Sequence, residues 1–334
     1  MRAKIAIALG IVYVVWGSTY LAIAVADRTL PPLLMLAVRF ALAGGLLYGW
    51  SAWRGDVASA RPGWREWGAA AVVGGLLLFV DTGGVAWAEQ RLASGLTALL
   101  VATVPLFTAL LDRMFFGVRL SLGALAGIAA GLLGVALLVG ERAHVDPLGA
   151  GVILVAALAW AAGSAYGRVA PLPQPPFLSA SMQMLCAAAL LALAGAAMGE
   201  IGRVHPAAIS TGSIAAFGFL VVFGSIVAFT AYGWLLRSGT PSVLVSTYAY
   251  VNPAVAVLLG WALAEETVGG RELAAGAIIV ASVGMLILTR HTPSAHGEVE
   301  PLPETVGAYL RRKEAQQRPV QPAPQLADLR RMAP

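Results

Sequence analysis

Apolar residues in this chain come in long blocks divided by short polar breaks. The alternation expected of a half-buried strand is absent, and the blocks exceed the length of ordinary core helices. A helix needs about 20 apolar residues to cross roughly 30 Å of hydrocarbon. The blocks predict ten such helices, at residues 5–26, 33–53, 67–88, 92–111, 122–139, 148–169, 177–197, 212–235, 242–264 and 273–289. The least distinct boundaries fall around Gly83-Gly84 and Gly163. After residue 290 the blocks stop. Residues 291–334 are rich in Pro, Gln and charge and include Arg311, Arg312 and Lys313. So little apolar surface cannot offset chain entropy, which predicts a disordered tail. A stretch around 306–317 suits a helix against anionic headgroups.

The blocks contain a repeat. Ser94 and Pro105 bracket part of one, and Ser242 and Pro253 bracket part of another at the same separation, 148 positions on. Gly17-Ser18-Thr19-Tyr20 is echoed by Gly163-Ser164-Ala165-Tyr166, and Pro32 and Arg39 align with Pro176 and Gln183. An odd number of predicted crossings separates the copies, so the second lies upside down relative to the first. The expected fold is an all-α membrane protein of ten transmembrane helices in two inverted five-helix repeats, residues 1–140 and 148–290. In secondary transporters such repeats enclose a midplane site.

Composition agrees. The chain is 59% hydrophobic and 12% charged, against roughly 25% charged for a soluble domain. Eleven of its 39 charged residues lie beyond residue 290. The net charge of +5 could point to nucleic acid, but its distribution points to membrane topology. One set of loops carries Arg2, Lys4, Arg54, Arg61, Arg65, Arg113, Arg119, Arg168, Arg237 and Arg290; the other carries Arg28, Arg91, Arg142, Arg203 and Arg271. By the positive-inside rule both termini are cytoplasmic, and Trp50, Trp53, Trp64, Trp67, Trp87, Trp234 and Trp261 near span ends form an interfacial belt. Arg2 and Lys4 precede a run long enough to span, without a cleavage site, so the first helix is retained. The single cysteine, Cys186, excludes an intrachain disulfide.

Several chemistries are missing. Neither lysine, Lys4 or Lys313, follows a glycine, so no Walker A loop forms. His144, His205, His291 and His296 lack metal-ligand spacing. A Gly-x-Ser-x-Gly elbow is absent. These absences argue against an ATPase, a hydrolase or any metal or cofactor enzyme.

Candidate site residues cluster on the repeat. Pro105 and Pro253 free the carbonyls of Val101 and Ala249, which hydrocarbon tolerates only beside protein, water or a ligand. They are read either as kinks or as shaping a site. Tyr248 and Asn252 share a helix face, with Tyr250 nearby, and Asn252 brings donors and an acceptor into an apolar helix. Thr103 is a polar candidate within the first copy. Trp16 and Tyr20 flank Ser18 and Thr19; Trp160, Ser164 and Tyr166 answer them in the second half, and the eighth span adds Thr230, Tyr232 and Trp234. Aromatic walls with a few hydroxyls suit an amphipathic solute. Arg39 inside the second span costs several kcal/mol unless it faces a cavity or a partner. It could hold a substrate carboxylate or form a structural ion pair. Asp81, deep in the third span, is either a proton carrier or the partner of Arg39. Glu89 and Glu265 lie at external span ends. Gly123, Gly127 and Gly131, and Gly45 and Gly49, offer close-packing steps.

Trp16-Gly-Ser-Thr-Tyr20, Pro32 with Arg39-Phe40, Ala86 with Glu89, Val101-Ala-Thr-Val-Pro105, and Tyr248-Ala-Tyr-Val-Asn-Pro253 with Gly260 and Glu265 resemble, in order and spacing, the drug/metabolite transporter superfamily and its bacterial EamA-domain exporters. The resemblance covers residues 5–290. It implies two inverted five-helix repeats, a central cavity, and efflux of amino acids, related metabolites or drugs across the inner membrane. By position it marks Trp16, Tyr20, Arg39, Glu89, Pro105, Tyr248, Asn252, Pro253 and Glu265. The expected partners are a small-molecule substrate, the bilayer and protons, with the chain a monomer or homodimer and no cofactor. One departure is Gly117-Val118-Arg119, where the family often has an acid.

Overall fold

A computed structural model describes residues 2–92, 97, 100–118, 121–139, 146–264 and 270–288. Glu265, Ser94, Arg119, the tail and the side chain of Tyr20 lie outside the described part. The long helices are α1 (Arg2–Ala26), α2 (Pro32–Trp53), α3 (Trp64–Ala88), α4 (Val104–Phe116), α5 (Leu122–Val139), α6 (Pro147–Gly167), α7 (Pro176–Ala197), α8 (Thr211–Arg237), α9 (Tyr248–Ala264) and α10 (Gly270–Leu288). No strand occurs among the described residues. Six of the helices, α1, α2, α3, α6, α7 and α8, are long and apolar enough to cross a membrane, and α5 and α10 contain shorter apolar helices. The protein is an all-α membrane protein.

Local sequence sets the helix ends. Proline at the first helical position opens α2, α6 and α7, where a missing N–H costs nothing. Asp146 Oδ2 accepts from the Gly149 N–H (3.1 Å) and Ser210 Oγ from the Ser213 N–H (3.0 Å), capping α6 and α8. Gly117, at φ 66°, closes α4 in the left-handed region. The first turn of α2 is capped from a distance. Glu200, 1% exposed in the turn after α7, accepts from the N–H groups of Leu33 (3.3 Å) and Leu34 (2.8 Å).

Glycines fix the helix spacings. On α2, a Cβ at Gly44 would lie 3.1 Å from Met184 Cβ of α7, while one at Gly195 would lie 3.1 Å from Leu34. Low numbers meet high, so α2 and α7 run antiparallel. The pair α5 and α10 repeats the pattern, Gly127 against Leu286 and Gly134 against Ile279. In addition α1 packs on α8 and α9, and α6 packs on α3 and α4. These contacts between the halves thus match when the halves are exchanged. Of the predicted steps, Gly127 and Gly131 do pack, against Leu286 and Tyr250. By contrast, Gly45 and Gly49 meet nothing within 4 Å, so they serve no contact among the described residues.

Two helices depart from α geometry at matching places. Residues Gly75–Gly83 of α3 and Leu220–Phe229 of α8 are π-helical. The boundary that looked indistinct at Gly83-Gly84 is the end of the first stretch, and α3 continues through it. The two repeat prolines are not equivalent. Pro105 sits in the first turn of α4, just after a break at Ala102-Thr103, whereas Pro253 lies inside α9. The fourth span of the first half is thus interrupted, with Leu100 and Val101 helical ahead of the break and α4 after it. In the second half the break falls earlier, between the one-turn helix Ser242–Val245 and α9.

Trp50, Trp53 and Trp64 are exposed at the ends of α2 and α3, as a belt requires, but Trp234 packs against the core. The tightest glycine is Gly74, whose Cβ would lie 2.2 Å from the Gln183 carbonyl oxygen of α7. Gly74→Ala is expected to lower stability by about 1–3 kcal/mol through overpacking. Gly45→Ala should be close to neutral. Thermal unfolding of the two purified variants checks the contrast.

Candidate functional site

The site is built where α1, α6, α8 and α9 meet. Trp16, Trp160, Tyr232 and Tyr248 form a cluster in which every ring touches every other, with centroids 4.9–6.0 Å apart. Edge-to-face and tilted pairs of this kind add about 0.5–1.5 kcal/mol each beyond burial. Trp160 Nε1 donates to Tyr232 Oη (2.8 Å), and Ser164 Oγ donates to the Trp160 carbonyl (2.7 Å). The hydrogen bond between Tyr232 Oη and Ser164 Oγ (2.6 Å) therefore runs from tyrosine to serine, because the serine has spent its only proton. The circuit starts and ends on Trp160 and locks both rings.

Further contacts tie α1 to α8 and α9. Trp16 Nε1 donates to the Gly224 carbonyl (3.1 Å) in the π-helical stretch of α8. Tyr13 Oη and Thr247 Oγ1 share a 2.5 Å hydrogen bond. With its amide oriented by its neighbours, Asn252 Nδ2 donates to the carbonyls of Tyr248 (3.1 Å) and Tyr13 (3.3 Å). Gly17 permits this approach, since a Cβ there would lie 2.6 Å from Val255 Cβ.

Beside the cluster lies a cavity of about 770 Å³, counting its open mouth. Trp16, Arg39, Asp81, Trp160, Tyr248 and Asn252, all predicted from sequence, line it together. It also takes in Thr19 of α1, Thr82 of α3 and Gly224 of α8. Arg39 is 5% exposed and Asp81 8%. The two are not within ion-pair distance of each other, and neither has an ionic partner among the described residues. Both readings that rested on an Arg39–Asp81 pair are thereby set aside. Arg39 instead donates through Nε to Ser225 Oγ (2.8 Å).

Other predicted residues lie off the cavity wall. Tyr232 stands behind Trp160 and Tyr248. Thr103 turns its hydroxyl back to the Leu100 carbonyl (2.6 Å), Pro105 and Pro253 are buried in their helices, and Tyr166 packs on the core.

Cavity residues fall in the later parts of α1 and α3 and the early part of α2, so the space runs from mid-bundle toward that end. Toward the opposite end lies a buried group that sequence reasoning missed. Asp112 of α4, 3% exposed, pairs with Arg168 at the end of α6 and accepts from Ser242 Oγ; Arg168 Nη1 also donates to that hydroxyl (3.1 Å). Arg168 lies over the Phe116 ring at 4.1 Å. The only sequence signal was an acid at the edge of an apolar run, which reads as ordinary surface.

At the open end three carboxyls converge after α1, α3 and α7. Burial and the nearby Glu200 raise Asp27 to about 6. Burial, with Asp27 adding to it, raises Glu89 to about 7.

Comparison with known proteins fits this geometry. The EamA-like transporter family model matches the chain twice, over residues 4–140 and 147–288. The chain belongs to the EamA-like transporter family. It is 40% identical over 297 residues to the uncharacterized inner membrane transporter YedA of Escherichia coli, covering 88% of this chain and 94% of that one. It is 29% identical over 169 residues to the "Probable amino-acid metabolite efflux pump" of Escherichia coli, covering 47% of this chain and 51% of that one. A solved crystal structure shares the fold with a TM-score of 0.71 at 23% identity, covering 86% of this chain and 98% of that one. The chain is a membrane transporter and not an enzyme.

Two outcomes follow for the ends of the bundle. Leaving one partner of a buried ion pair alone costs about 3–5 kcal/mol. Asp112→Asn should therefore lower the unfolding temperature sharply, and adding Arg168→Gln should cost less than it does alone. At the open end, a carboxyl with a raised folded-state pKa binds protons more tightly in the native state. Its contribution to stability is full below the ordinary carboxylate pKa and is lost as pH rises through about 7 for Glu89. The unfolding temperature should fall from pH 5 to pH 8, and Glu89→Gln should flatten that slope.

Proposed function

We propose that this protein exports small amphipathic metabolites, amino acids or related compounds and drugs, across the bacterial inner membrane by alternating access, coupled to protons through Asp81. The observation that carries the reading is one cavity, lined from both halves and running from mid-bundle toward one end, with a buried ion-pair group fastening the helices at the other. Its lining holds a cation and an acid that have no protein counter-ion among the described residues. A buried charge left in that condition is costly, so the cavity suits a polar occupant better than a structural core. The aromatic faces of Trp16 and Tyr248 supply the apolar surface that an amphipathic solute would cover.

The exchange symmetry of the helix contacts, the antiparallel pairs α2/α7 and α5/α10, and the matched π-helical stretches support two inverted repeats of five helices, residues 1–140 and 148–290. In such a fold, alternating access is a rocking of one half against the other around a fixed site. The Asp112–Arg168–Ser242 group joins α4 of the first half to the end of α6 and the one-turn helix before α9 in the second, which is where a closed gate has to hold. With the termini cytoplasmic, as the arginine count favours, this gate faces the cytoplasm and the cavity faces outward. Glu89 then stands at the outer end of its span. A relative named as an amino-acid metabolite efflux pump supports the direction and the solute class.

Proteoliposomes test the reading. Wild-type protein should catalyse counterflow of a labelled amino acid or hydrophobic drug from a panel, and an imposed pH gradient should drive its accumulation. Asp81→Asn should keep counterflow and lose the pH-driven accumulation. Wild-type counterflow that ignores the pH gradient would identify a facilitator and remove proton coupling; no flux for any solute would remove the transport assignment for this cavity.

A further inference from the structure

Arg39 is an arginine with most of its hydrogen-bonding capacity unspent. A guanidinium has five N–H donors. The structure engages one of them, Nε, with Ser225 Oγ at 2.8 Å. The Phe40 ring is 5.2 Å from Cζ and takes no hydrogen bond of ordinary strength. A side chain only 5% exposed, lining a cavity and lacking a carboxylate within 4.0 Å among the described residues, is waiting for an acceptor.

Two neighbouring residues of α8 hold the group in place. Ser225 takes Nε. Gly224 makes room for the fork, since a Cβ there would lie 2.7 Å from Nη2. Both belong to the π-helical stretch Leu220–Phe229, and the same Gly224 presents its carbonyl to Trp16 Nε1 (3.1 Å). Short π segments occur where function outweighs regular geometry. Here one segment fixes both the guanidinium and the aromatic wall.

We propose that Ser225 and Gly224 are positioning residues of an anion receptor centred on Arg39, and that its ligand is a solute carboxylate. The proposal rests on the reading of the cavity as the solute site. With Nε held by serine, the terminal nitrogens are left for a planar, two-oxygen acceptor, the geometry a fork recognises best. A monoanion balances the single guanidinium. A dianionic phosphate would leave surplus negative charge in a cavity that already contains Asp81. The solutes best served are therefore aromatic or apolar carboxylates, with the ring on the tryptophan–tyrosine wall and the carboxylate on Arg39.

Matched acid and amide pairs test this on purified protein in nanodiscs. The probes are L-phenylalanine with L-phenylalaninamide, and 3-phenylpropionate with 3-phenylpropionamide, read by quenching of tryptophan fluorescence. Wild-type protein should bind each acid at least about tenfold more tightly than its amide, the scale of one charge-assisted hydrogen bond. Ser225→Ala should erase that preference by weakening acid binding far more than amide binding, and Ser225→Thr should restore it. Gly224→Ala should mimic Ser225→Ala by displacing Nη2. Equal loss for acids and amides in Ser225→Ala would show a merely structural role and overturn the proposal. So would wild-type protein that binds acids no better than amides, or that binds neither. Counterflow of neutral solutes without any preference for acids would overturn the receptor and leave the transport assignment standing.

Discussion

In hydrocarbon, a backbone that leaves its own hydrogen-bond ladder has nowhere to put its polar groups. Everything distinctive in this protein sits where that constraint is relaxed. Inside the bundle the irregular stretches gather around one space: the break before α4, the break before α9, and the π-helical stretches of α3 and α8. One π stretch carries Asp81 and the other carries Gly224 and Ser225. Irregular backbone is tolerated there because it borders a cavity, and the same irregularity aims polar groups into it. Gly224 shows the economy of the arrangement, its carbonyl serving Trp16 and its missing side chain serving Arg39.

The charges inside the bundle divide by what surrounds them. At one end Asp112, Arg168 and Ser242 bond to one another, with the guanidinium also over Phe116, so the group fastens three segments together there. At mid-bundle Arg39 and Asp81 line the same cavity without meeting, so neither cancels the other. A partnered charge fastens helices together. An unpartnered one beside an opening offers itself to a solute or a proton. The aromatic cluster stands between the two regions and is held rigid by the Trp160–Tyr232–Ser164 circuit. Helix packing supports all of this through a few glycines, chiefly Gly17, Gly44, Gly74 and Gly195, whose missing side chains let backbones approach.

Much of this was legible in the chain. A membrane helix announces itself because its apolar length is imposed by the bilayer, and the ordering of blocks, the repeat and the cavity-lining Trp16, Arg39, Asp81, Trp160, Tyr248 and Asn252 were all visible in sequence. Polar residues within apolar blocks stand out because hydrocarbon penalises them. Where polarity fell at the edge of a block, the signal failed. Asp112, beside Arg113 at a span end, looked like solvated surface, and Glu200 looked like part of a loop, although one anchors a buried ion pair and the other caps α2. Thr103 and Tyr166 had the right composition and the wrong direction.

The sequence by itself determined the class of protein and which residues were costly enough to need a reason. It could do so because burial in a bilayer is a one-dimensional matter of length and polarity. Only the tertiary structure decided which of those residues face one another. That depends on helix rotation and on distances between segments far apart in the chain, where a shift of one residue turns a side chain by about 100°. Hence Arg39 and Asp81, which sequence could pair or separate with equal reason, are separated. Ser225, unmarked in an apolar run, became the hydrogen-bond partner of the arginine.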